Sequence, residues 1–177
     1  MGIFSRKSSD MTAAQTSDMT AAQSIEKVLE TGEKVGAFCK MGQSFHQLDT
    51  IFFLMSYADY VEIAAGRTPK CNAIDPRIAA GGYRGKTLSA ERLNGSSASI
   101  GTWMYEHYIA DATTGGMFNP VSNQVNIGSA DKRALTQIYQ SPGKPFTPAN
   151  YTKVYDVLLL TLTRDKRYSL GYKRVLS

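Results

Sequence analysis

The stretch Gly66 to Lys86, GRTPKCNAIDPRIAAGGYRGK, is the most distinctive in the chain, combining a thiol, a carboxylate and basic side chains on a backbone shaped by Gly and Pro. A thiol at Cys71 can take a tetrapyrrole by thioether linkage, the carboxylate of Asp75 can hold pyrrole N–H groups, and the guanidinium of Arg77 can hold propionates. The same stretch carries Arg67, Lys70, Tyr83, Arg84 and Lys86. Arg and Tyr bring large contact area and directed hydrogen bonds, so these residues also read as anchors for a partner protein. Pro and Gly shape the backbone between them, and the simplest reading is a basic surface loop.

The covalent-chromophore chemistry resembles that of phycobiliproteins and their basic linkers, an analogy of residue types. It implies a chromophore-bearing linker of a light-harvesting antenna, with Cys71 as the attachment point and Asp75 and Arg77 as its partners. Other constellations are thinner. Gly81 to Lys86 has the glycines and lysine of a phosphate loop, but Lys86 stands where G-x-x-x-x-G-K-[ST] requires its second glycine, and no strand precedes it. Cys39, His46 and Asp49 are spaced by seven and three. Seven residues are about 10 Å of helical rise, beyond hydrogen-bond reach, so a buried thiol and a surface histidine are the expectation. His107 beside Glu106 and Trp103 reads as an interfacial helix face. Catalysis is poorly supplied, and the chain reads as a non-enzyme.

Charge is segregated. Residues 1–66 hold five basic and eight acidic groups, whereas 67–177 hold fifteen basic and seven acidic groups, so a net +5 divides into −3 and +8. The basic part is the one expected to meet an anionic surface. Arg164, Arg167, Tyr168, Tyr172, Lys173 and Arg174 form a basic, aromatic tail suited to acidic protein subunits, or to nucleic acid through phosphates and base stacking. Two cysteines are too few for a disulfide framework, and the N-terminus lacks the apolar core of a secretory signal. An intracellular setting with no membrane span is expected.

These groups must be positioned by helices. SDMTAAQ occurs at Ser9–Gln15 and again at Ser17–Gln23, and residues 1–23 read as a flexible, partly helical arm ahead of one helical domain over 24–177. Thr12 with Gln15 and Thr20 with Gln23 each fit a capping box that can start the first helix. Ile25, Val28, Leu29, Val35, Phe38, Cys39 and Met41 follow at helical spacing. Gly32 and Gly36 interrupt that stripe, which suggests close approach of a neighbouring backbone. Ser44 with Gln47 predicts the start of a second helix carrying Phe45, Leu48, Ile51, Phe52, Met55, Tyr60 and Ile63, closed by Gly66 in a left-handed cap. The fold class is mainly α, built on an N-terminal helical hairpin with long irregular loops. Phe53 and Tyr57 lie off the main stripe, more apolar surface than one partner helix covers, so a second partner is implied.

Downstream, Ser89–Leu93 reads as a helical turn within the long connection from Arg67 to Ser99, Ser99–Thr113 as a helix, and Ser129–Tyr139 as a short helix capped by Ser129. Thr147 followed by Pro148 opens the clearest amphipathic pattern: Tyr151, Val154, Tyr155, Leu158, Leu159 and Leu162. Residues 157–163 are also compatible with a buried strand, although the periodicity favours helix. The apolar surplus, long Tyr/Arg-bearing loops and segregated charge point to a structural or linker subunit of a larger complex, with a nucleic-acid-binding or virion structural protein as an alternative.

Overall fold

The computed structural model describes residues 13–30, 32–45, 47–69, 96–110, 124–165 and 167. Those residues form six α-helices and one 3-10 turn, with no strand among them: α1 Ala13–Glu30, α2 Gly32–Ser44, α3 Leu48–Ala64, α4 Ser97–Tyr108, α5 Ser129–Tyr139, the 3-10 turn Pro148–Tyr151 and α6 Thr152–Arg164. The protein is mainly α, and residues 157–163 are helical.

The centre of the molecule is α3, buried from Thr50 through Tyr57 and again at Asp59, Tyr60 and Glu62. A helix apolar around most of its circumference requires cover on several sides. Helix α4 runs antiparallel along it: Ser97 Oγ donates to the Tyr60 hydroxyl at 3.4 Å, and the Ser56 and Tyr108 hydroxyls lie 2.9 Å apart. Helix α6 covers another side, also antiparallel, with the Tyr57 and Thr152 hydroxyls 2.9 Å apart and Arg167 over the Phe45 ring. Helix α1 lies against α6, where the Tyr155 hydroxyl donates to Glu26 Oε1 at 2.8 Å.

Several sequence expectations need correction. The stripe from Ile25 to Met41 belongs to two helices, α1 ending at Glu30 and α2 beginning at Gly32. Helix α1 begins at Ala13, so Thr20 lies inside it and does not start it. The helical part expected of the arm is seen at residues 13–23, which belong to α1. The Ser44/Gln47 capping box does not form: the Ser44 hydroxyl donates back to Lys40 O, and Gln47 stands at the N-cap of α3 with its Oε1 accepting from the Thr50 hydroxyl rather than from a backbone N–H. Ser129 is the first residue of α5 rather than its cap, a position held by Gly128. Helix α4 starts at Ser97 and is capped by Ser96, whose Oγ accepts from the Ser99 N–H at 3.2 Å.

Gly36 meets no atom within 4 Å of a built Cβ, so it accommodates no neighbouring backbone. That role falls to Gly101 on α4, where a Cβ would strike Phe146 Cβ and come within 2.7 Å of the Tyr60 hydroxyl. The left-handed cap does form: Gly66 has φ +70, and the N–H groups of Gly66 and Arg67 reach back to Ile63 O and Glu62 O in a Schellman arrangement. Ser89–Leu93 and residues 111–113 lie outside the described residues.

Candidate interaction surfaces

Arg67 is carried by the Schellman turn that ends α3. Its Nε and Nη2 donate to the two carboxylate oxygens of Glu62 at 2.6 and 3.0 Å. The carboxylate is 10% exposed and the guanidinium 57% exposed, so the pair closes the end of α3 while the cation still faces water. Glu62 holds the Arg67 guanidinium above its already high ordinary pKa.

Arg164 and Arg167 lie at the far end of α6. Arg164 is the last helical residue, where a cation complements the exposed carbonyls. The chain then turns extended at Asp165, whose carboxylate takes Arg167 Nε at 2.9 Å and Nη2 at 2.6 Å. That pairing lowers the pKa of Asp165. The same guanidinium sits 5.0 Å above the Phe45 ring, at the junction of α2 and α3. Because α6 is antiparallel to α3, Arg67 and Arg167 occupy opposite ends of the central helix. The 17 residues of α3 put about 25 Å between those ends. Lys70, Cys71, Asp75, Arg77, Tyr83, Arg84, Lys86, Tyr168, Tyr172, Lys173 and Arg174 lie outside the described residues.

Phe53 and Tyr57, the apolar surplus of the sequence, are satisfied within the chain. Phe53 packs edge-on to Tyr108 at 5.5 Å and against Tyr151 at 6.3 Å, and Tyr57 lies 4.6 Å from Tyr155. The implied second partner of this helix is α6 with its preceding turn. Outward-facing apolar surface on α6 is confined to Val157 and Leu160.

Several tyrosine hydroxyls of the interior are each tied to a particular neighbour. Tyr60 donates to Phe146 O at 3.0 Å, Tyr151 to Gly101 O at 2.7 Å and Tyr105 to Thr136 Oγ1 at 2.9 Å. Burial holds the Tyr60, Tyr108 and Tyr151 phenols above their ordinary pKa. Such rings bring apolar area and a directed bond together, which fixes helix register as well as filling space.

Cys39 is fully buried, and burial pushes its thiol up to about 12, which leaves no thiolate for nucleophilic chemistry near neutrality. His46 lies outside the described residues. His107 is half-buried and stacked on Trp103 at 4.4 Å between ring centroids. Among the described residues there is no group of three or more His, Cys, Asp or Glu side chains that could hold a metal, and no helix long and apolar enough to cross a membrane.

The sequence reading passed over the exposed face of α5. Ser129, Lys132, Arg133, Thr136, Gln137 and Gln140 line a shallow groove of about 390 Å³. Lys132-Arg133 is the one signal that could have drawn attention to it, and a two-residue basic step on a short helix is commonplace. No protein-family model, curated protein or solved structure matches this chain.

Proposed function

We propose that the protein is a non-catalytic assembly subunit, a helical spacer that presents two basic segments, 67–86 and 164–174, to acidic surfaces on neighbouring protein subunits. The observation that carries this reading is the separation of Arg67 from Arg167 by the length of α3. Two basic segments that start about 25 Å apart bridge two acidic patches, or two subunits, more readily than they grip one small ligand. The +8 charge of residues 67–177 supports the same reading. That Phe53 and Tyr57 are covered within the chain supports an adhesive surface made of charge rather than of an exposed apolar stripe.

The test is the native mass of the untagged protein taken from its own source, recorded over a series of ionic strengths. The expected result is a complex well above 19.4 kDa that dissociates as salt is raised, because contacts between exposed charges are screened. A bare monomer at every ionic strength overturns the proposal. Loss of the extra mass on nuclease treatment transfers the assembly to nucleic acid. Extra mass that survives denaturation and disappears in Cys71→Ala moves the reading to the chromophore-bearing linker.

A further inference from the structure

Helix α5 is held differently from the rest of the bundle. Of its eleven residues only Leu135 is buried, whereas α3 buries eleven of its seventeen. The chain is pinned on either side of it. Val125 is buried and its N–H donates to Tyr108 O at 3.0 Å; Phe146 is buried and its carbonyl accepts from the Tyr60 hydroxyl. Between these pins run Asn126 to Pro145, with Gly128 at the start of the helix and Gly143 at φ +78 after it.

Ile138 and Tyr139 pack against the core only partly buried, and several ties across the segment are polar. Tyr105 donates to Thr136, Tyr139 donates to Glu106 Oε1 at 3.0 Å, and Lys153 meets Asp131 at 2.5 Å on the surface. Tyr139 also stacks on the Tyr105 ring at 4.4 Å. Phe146 stacks near the same ring at 5.7 Å, but it belongs to the pinned part of the chain.

We propose that α5 is a flap, opening as a unit between Val125 and Phe146 while the bundle around α3 stays folded. Regions with few buried apolar side chains open at a lower free energy than the core that carries them. Here the opening removes one aromatic neighbour, Tyr139, from the Tyr105 ring and leaves Phe146 in place. Tyr105 thereby becomes accessible to water without exposing Phe53, Tyr60 or Trp103.

Native-state hydrogen exchange of the intact chain tests this. Amides from Arg133 to Tyr139 are expected to exchange at least 100-fold faster than those from Met55 to Tyr60. In Leu135→Ala the α5 amides are expected to accelerate at least tenfold further while the α3 amides keep their rate. Tyr139→Phe, which keeps the ring and loses only the bond to Glu106, serves as the milder variant should Leu135→Ala fail to fold, and is expected to accelerate α5 amides alone. Equal protection in α5 and α3, or a variant that accelerates both helices alike, overturns the proposal, because α5 then opens only with the whole molecule.

Discussion

Replacing Gly101 by alanine asks whether the packing around α4 is as tight as its geometry requires. The added methyl would strike Phe146 Cβ and lie 2.7 Å from the Tyr60 hydroxyl and 3.3 Å from Phe146 Cγ. The first of these atoms is fixed to the backbone and cannot swing aside. Phe146 is held by the bond from Tyr60 to its carbonyl, and Gly101 O accepts from Tyr151, so displacement disturbs two buried hydrogen bonds. Overpacking costs about 1–3 kcal/mol, and weakening the buried bonds costs about 1–3 kcal/mol more. Alanine returns about 1 kcal/mol of helix propensity, leaving a net loss of roughly 3 kcal/mol. For a chain of this length that corresponds to a fall in Tm of roughly 6–12 °C. The assay is thermal unfolding followed by helical circular dichroism and by the fluorescence of Trp103, the single tryptophan. Gly36→Ala is the matched control: the methyl enters open space, so only the propensity gain remains and Tm should rise by about 2–4 °C. An unchanged Tm in Gly101→Ala, or equal destabilisation by both substitutions, would refute the packing argument.

The buried thiol gives a second expectation: in Cys71→Ser at pH 8, Cys39 should resist a disulfide-exchange reagent in the native protein and react fully in denaturant, and rapid native labelling would contradict its burial. A third concerns alkali. Burial raises the folded-state pKa of Cys39, Tyr60, Tyr108 and Tyr151, so above the ordinary thiol value of 9.0 and phenol value of 10.0 the unfolded chain binds fewer protons than the folded one. Stability contributed by these groups is therefore fully present below about pH 9 and falls progressively at higher pH, measurable as a declining urea midpoint; a flat midpoint to pH 11 would be inconsistent with it. Finally, a double-mutant cycle of Arg167→Ala with Asp165→Asn should return a coupling of only about 0.2–1 kcal/mol, fading in salt, because the guanidinium is half-exposed. A coupling that is large and salt-insensitive would show the pair to be sealed from solvent.

Local chemistry was legible in the sequence wherever one helix turn decides it. Thr147-Pro148 located the 3-10 turn that leads into α6, the Val154, Leu158, Leu162 spacing the inner face of that helix, and Gly66 the end of α3. The Glu62–Arg67 pair was readable in principle, since a Schellman turn returns that residue to the last turn of its helix, but Arg67 looked instead like a loop cation. What escaped was long-range. Phe53 and Tyr57 looked like an interface because their cover, Tyr151 and Tyr155, lies nearly a hundred residues on. Gly101 escaped because its crowding depends on Phe146, and Gly36 misled because a helical glycine is equally consistent with contact and with open space.

The order of elements along the chain also governs how the protein is made. Helix α3 leaves the ribosome before its cover is made, for that cover includes Thr152, 95 residues beyond Tyr57. At about 5–20 residues per second, that side of the helix waits roughly 5–20 s for its mate. Tyr57 and the α6-facing side of Phe53 then stand uncovered, and a nascent chain halted before α6 is complete presents that side of the helix to its surroundings. The vulnerable interval in the life of this protein is therefore its synthesis, and the element that ends it is α6.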